Sequence, residues 1–193
     1  QVLSNCKKEG MVLSYNVIGE LRGNTKPHEY IVVGGHLDSW DVGEGAHDDG
    51  AGCVQSIEVI RAFKALGLQP KHTIRAVLFM NEENGMKGGL AYADSMTAKN
   101  EKHILAIESD AGGFSPRGIG LEMKAAHKQI IQSWAPLFLP YGIYDFSQEE
   151  SGVDISPLQK YDVPLAGLLP DPQRYFDIHH NAADVLEAVN HRE

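Results

Sequence analysis

The sequence is poor in cysteine, with Cys6 and Cys53 the only two in 193 residues. Two thiols cannot build a disulfide scaffold, and Cys53, set in an apolar helical stretch, reads as a small buried thiol. Long apolar runs are missing too. None approaches the ~18 residues that a membrane-spanning helix requires, so no membrane span is expected. Basic charge is scarce, with 17 Lys and Arg against 26 Asp and Glu for a net charge of −9. Nucleic acid is therefore not an expected partner, because its binding rests on cations that neutralise phosphates. There is no internal repeat, no low-complexity stretch and no signal peptide. A chain that opens on Gln1 instead of methionine is expected to be a mature or excised piece of a longer one.

What is present is ordinary globular material, 42% hydrophobic and 22% charged, in a length that suits one domain with a substantial core. Segments 30–35 (YIVVGG), 73–80 (TIRAVLFM) and 103–109 (HILAIES) are short β-branched or apolar runs, the pattern of strands buried on both faces. Between them, 51–66 places Val54, Ile57, Ile60, Arg61 and Leu66 at roughly helical spacing before Gly67, and 87–97 gives a shorter helix. An amphipathic helix fits 124–139, another is expected after Ser151, and 162–169 reads as a late strand. The alternation predicts an α/β fold, a three-layer sandwich with a mostly parallel central sheet. In such a sheet the crevice beyond the carboxyl ends of the strands is the usual ligand site.

Five clusters of acids and histidines fall in the connections there. GGHLDSWD (34–41) sets His36 and Asp38 two residues apart, with Asp38 able to influence the orientation of the histidine. AHDDGAG (46–52) puts Asp48 and Asp49 side by side before a helix; such a pair can cap the helix, or one carboxylate can bridge two cations. NEENG (81–85) pairs Glu82 with Glu83, neighbours that can point different ways, one to a metal and one to a water. ESDAGG (108–113) places Asp110 just past a strand, and DIHHNAAD (177–184) supplies His179, His180 and Asp184. Each cluster alone has a plain reading as a solvated loop. Together they converge on one place, and nitrogen and carboxylate donors without thiolates suit zinc, with manganese or cobalt as substitutes.

In this order the clusters resemble the di-zinc metallopeptidases of family twenty-eight, and GGHLDSWDVGEGAHDDGAG (34–52) is most similar to the carboxypeptidase Q branch. The resemblance runs from about Asn16 to Val189. It implies two Zn2+ per chain, with Asp48 bridging them, His36 and Asp110 completing one site, and Glu83 and His180 the other. His180 is preferred to His179 because the family pattern places an aspartate four residues after the ligand, which Asp184 matches; Val185 then departs from the usual threonine. The resemblance further implies Glu82 as general base and proton donor to the leaving amine, Asp38 as the partner of His36, and His179 as an oxyanion donor. Glu108, Glu149, Glu150 and Asp154 are the acids available to grip a substrate ammonium.

On this reading residues 1–193 are a single catalytic domain, a fragment of a longer exported (secreted or periplasmic) protein. It would hydrolyse dipeptides or short peptides, with small peptide substrates as partners and room for a homodimer. The alternatives are an aminopeptidase of the same family, single-zinc glutaminyl cyclase chemistry, and a non-catalytic binding ectodomain that keeps only the fold.

Overall fold

The apolar runs of the sequence lie side by side. In a computed structural model, which describes residues 2–7 and 9–193, segment 30–35 falls inside strand β2 (Lys26–His36). Strand β2 is flanked by β3 (His72–Phe79) and β4 (Lys102–Glu108), both parallel to it. Beyond β4, strand β6 (Leu165–Pro170) continues the parallel set. The edges are antiparallel: β1 (Val17–Leu21) on β3, and β5 (Pro116–Glu122) on β6. The six-stranded order is β1-β3-β2-β4-β6-β5. The mostly parallel sheet agrees with the sequence reading.

Side chains alternate across a strand, so the two faces can be read from the core. Val33, Ile74 and Ala76 face helix α1 (Ala51–Ala65) through Val59, Ile60 and Phe63. Val32, Val77, Phe79, Ala106 and Leu165 face the other way, against Tyr92, Ala93 and Met96 of helix α2 (Lys87–Ala98) and a 3-10 turn over 156–161. Ile107 and Ala166 return to the α1 side, where helices α3 (Ala125–Gln132) and α4 (Ala135–Phe138) cover them. Helices on both faces give the three layers expected. Each fully buried Phe, Leu, Ile or Val contributes about 1.5–3 kcal/mol. Arg75, buried in β3, adds a paired charge: it donates to Glu20 of β1, to Glu101 and to the Tyr92 hydroxyl, tying the edge strand to α2.

Several expectations shift. The helix expected over 124–139 breaks after Gln132, because Pro136 has no N–H and its ring clashes with the carbonyl four residues back. The helix expected after Ser151 is the short 3-10 turn, and the late strand begins at Leu165. On α1 the buried positions are Gly52, Cys53 and Ser56, while Val54, Ile57 and Leu66 are exposed. Among the described residues no helix is long and apolar enough to cross a membrane.

Candidate metal centre

Parallel strands present their carboxyl ends on one side, and the register keeps those ends level: His36 lies beside Phe79, and Gly34 beside Glu108. His36 closes β2, Glu82 and Glu83 follow β3, and Asp110 follows β4. Loop 179–184, after the short helix α5 (Tyr175–Ile178), reaches over from β6. Four separate stretches of chain therefore meet above the sheet.

The adjacent aspartates point in different directions. Asp49 is fully buried, and its carboxylate accepts the N–H groups of His36 and Gly52 at 2.9 Å each, capping the start of α1 and clamping it to the end of β2. This close approach requires glycine at 35 and 52: a Cβ on Gly35 would strike the Asp49 carboxylate and the Gly52 backbone, and one on Gly52 would strike the Ser109 carbonyl. Burial and the Asp110 charge push Asp49 well above the usual carboxylate range, against the opposing pull of His36. Asp48 turns the other way, and the Asp48–Asp49 peptide is cis. Asp48 Oδ1 lies 3.1 Å from His36 Nε2, and Oδ2 lies 3.2 Å from His180 Nε2.

Two groups of candidate ligands follow. On one side His36 Nε2 is 3.0 Å from Asp110 Oδ1 and 3.1 Å from Asp48 Oδ1. On the other, His180 Nε2 is 3.0 Å from Glu83 Oε2 and 3.2 Å from Asp48 Oδ2. Ligands about 2.0–2.1 Å from a tetrahedral zinc stand about 3.3 Å from one another; the His36, Asp48 and Asp110 donors lie close enough together to share an ion, and on the other side Asp48 does so with His179 and His180, with Glu83 in contact with His180. The electrostatics fit a missing positive charge. Burial disfavours a charged His36, yet the Asp110 and Asp48 carboxylates raise it far above an ordinary histidine. Burial and the Asp110 charge raise Glu82; burial and Asp48 raise Glu83, whose Oε1 is buried without a hydrogen-bond partner. Crowded acids of this kind are relieved by a cation between them.

The supports differ from expectation at Asp38. His36 Nδ1 is held by the backbone carbonyl of Asp38 at 2.8 Å, whereas the Asp38 carboxylate stands 3.8 Å away. That carboxylate instead accepts the N–H groups of Asn81, Glu82 and Glu83 at 2.7, 3.1 and 3.3 Å, shaping the turn that presents both glutamates. Asp184 does similar work across the site, accepting the N–H groups of His47 and Asp48 at 2.7 and 3.0 Å.

Two of the acids expected to grip a substrate ammonium, Glu108 and Asp154, are buried. Glu108 is 1% exposed and accepts the Asp154 and Ile155 N–H groups. Burial and the Asp154 charge push it up to about 8. Asp154 is also 1% exposed, with both carboxyl oxygens unpartnered and its pKa pushed up to about 7 by burial. Glu149 pairs with Lys128 of α3, and Glu150 packs its backbone against Gly120 of the edge strand β5. His179, the expected oxyanion donor, brings Nδ1 within 3.2 Å of Asp48 Oδ2, so it shares a candidate ligand cluster with His180.

The sequence profile of Peptidase family M28 matches residues 16–193. The chain belongs to this family. M28 relatives include carboxypeptidase Q of Rattus norvegicus, 37% identical over 180 residues, which is 93% of this chain and 38% of that protein. The crystal structure of a peptidase M28 precursor from Shewanella amazonensis superposes with a TM-score of 0.83 at 38% identity, over 92% of this chain and 40% of that one. A zinc aminopeptidase from Bacillus subtilis shares the fold, with a TM-score of 0.72 at 21% identity over 91% of this chain and 45% of the other. The chain thus spans well under half the length of these relatives. Within this M28 chain, Asp184 keeps its place despite Val185, because its contacts are to backbone N–H groups that a neighbouring side chain does not supply. Motif reading did not single out Trp40, whose indole packs against the His180 ring at 5.3 Å. Nor did it mark His47, which accepts the Gly113 N–H and stacks on Phe114.

Proposed function

We propose that this chain is the catalytic domain of a zinc-dependent exopeptidase that hydrolyses dipeptides or short peptides in the manner of carboxypeptidase Q. The observation that carries the reading is Asp48, one carboxylate with an oxygen turned to His36 on one side and to His180 on the other. His36, Asp48 and Asp110 would hold one ion; Asp48, Glu83 and His180 the other. His180 is chosen over His179 because its Nε2 lies within reach of both Asp48 and Glu83.

A bound zinc pair lowers the pKa of water and polarises a carbonyl. The chain's own residues supply the rest. Glu82 is half-buried beside Asp110, and its raised pKa suits a group that takes a proton from the attacking water and returns it to the leaving nitrogen. Asp38 fixes the main chain of Glu82 and keeps the base at a set distance from Glu83. His179, partly exposed beside Asp48, is the residue we assign to donate a hydrogen bond to the oxygen on which charge develops. Export of the parent protein, as the resemblance implies, belongs to the same reading.

Glu82→Gln tests the division of labour. Dipeptide turnover should fall on the order of 10²–10⁴-fold while zinc content stays unchanged; loss of zinc would make Glu82 a ligand and overturn its role. Dipeptides blocked at either end decide which terminus is recognised. Hydrolysis that needs only the free amine would replace the carboxypeptidase reading with an aminopeptidase one. Of the four acids expected to grip an ammonium, Glu108 and Asp154 are buried and Glu149 is paired with Lys128.

A further inference from the structure

We propose that Trp40 is a positioning residue for His180, holding its ring by packing. The inference rests on His180 ligating a metal, as proposed above. A ligating histidine ordinarily gives its second ring nitrogen to a carboxylate, a carbonyl or water, which fixes the ring. His36 uses the Asp38 carbonyl at 2.8 Å. His180 turns Nε2 to Asp48 and Glu83, and among the described residues no protein group is hydrogen-bonded to its Nδ1. Its backbone is left-handed at φ 54°, an unfavourable conformation for a histidine, and it is 37% exposed. Within the chain, something other than a hydrogen bond holds this ring.

Aromatic packing does so. The Trp40 indole lies 5.3 Å from the His180 ring, tilted by 44°. On the same ring His179 stacks at 3.6 Å, and His179 in turn stacks on Tyr175 at 4.6 Å. Trp40 is itself anchored to the loop it braces. Its turn closes through the Gly43 N–H to the Trp40 carbonyl, Gly43 presses on the backbone of Asn181 and Asp184, and the Glu44 N–H donates to the Asp184 carbonyl at 2.8 Å. The indole nevertheless stays 43% exposed, at the mouth of the small cleft it lines with Glu83 and His180. A large ring left half in water at that point is accounted for by the histidine behind it.

The test is a zinc titration of metal-free protein against a chromophoric chelator, which reads each binding event without activity. In Trp40→Ala the event on the His36 side should be unchanged and the event on the His180 side weakened about 10–100-fold, the usual consequence of losing an outer partner. Trp40→Phe keeps a ring and should recover most of the affinity. In Trp134→Phe, where Trp40 is the sole indole, cobalt should quench emission mainly with the second equivalent; this readout stands even if Trp40→Ala fails to fold. Wild-type affinity for both ions in Trp40→Ala, or emission indifferent to the second equivalent, overturns the role of Trp40. A single event in the unaltered protein removes the second site itself, and with it both this inference and the two-metal reading.

Discussion

His36 and His180 address the same carboxylate from opposite sides, yet the chain holds them by different means. His36 is 1% exposed at the end of a central parallel strand, with its N–H clamped by Asp49 and its second nitrogen by a main-chain carbonyl. His180 sits in a loop, with a left-handed backbone and with aromatic neighbours packed on its ring. The strand-borne histidine is fixed by backbone that the whole sheet stabilises; the loop-borne histidine depends on a few side chains. Two ions bound across Asp48 should therefore be unequal, the one at His36 held more firmly and the one at His180 freer to exchange.

The largest effect is expected where the two sides join. Asp48→Ala should weaken both ions by more than the about 100-fold that loss of an outer partner costs; two ions retained at near-native affinity in a metal assay would break the shared-bridge comparison. Asp184→Ala comes next. It leaves the His47 and Asp48 N–H groups unpaired in a buried place, at about 1–3 kcal/mol each. Denaturant unfolding should show that loss, and zinc should leave the His180 side first. Equal loss from both sides would mean that Asp184 supports Asp48 alone. With dilute chelator and no mutation, a single ion should be removed ahead of the other, and Glu83→Gln should speed that step while His36→Gln should not.

The smallest effect concerns the acidic floor under the strand-borne side. Glu108 keeps its proton in the folded chain up to about pH 8, whereas an unfolded glutamate releases it near 4.3. The folded state then binds the extra proton, so stability is highest below the unfolded value and declines as pH rises towards 8. Glu108→Gln should flatten the fall in melting temperature between pH 5 and 8. Identical slopes in the two proteins would place the charge elsewhere.

Much of this was legible in the residues. Strands β2, β3, β4 and β6 announce themselves because parallel strands buried on both faces read as unbroken apolar runs. The edge strands do not. VIGEL of β1 is largely exposed, and PRGIGLE of β5 carries glycines where segment 145–150 packs against it. The inward face of α1 was hidden because Gly52, Cys53 and Ser56, small enough to let the helix approach the strand ends, carry little hydrophobic signal. At the site, motif spacing located the acids and histidines but not their directions. Asp48 and Asp49 are indistinguishable in sequence, and only the fold turns one to the helix and the other to the cleft. For Glu108 and Asp154 the sequence showed acidity and could not show that both lie beneath the floor.

The central claim is a two-ion centre bridged by Asp48, and zinc counting by native mass spectrometry after loading and desalting tests it most directly. Two zinc ions per chain are expected, falling to one before none as chelator is added. No bound zinc, or one ion that Asp48→Ala leaves in place, would contradict it.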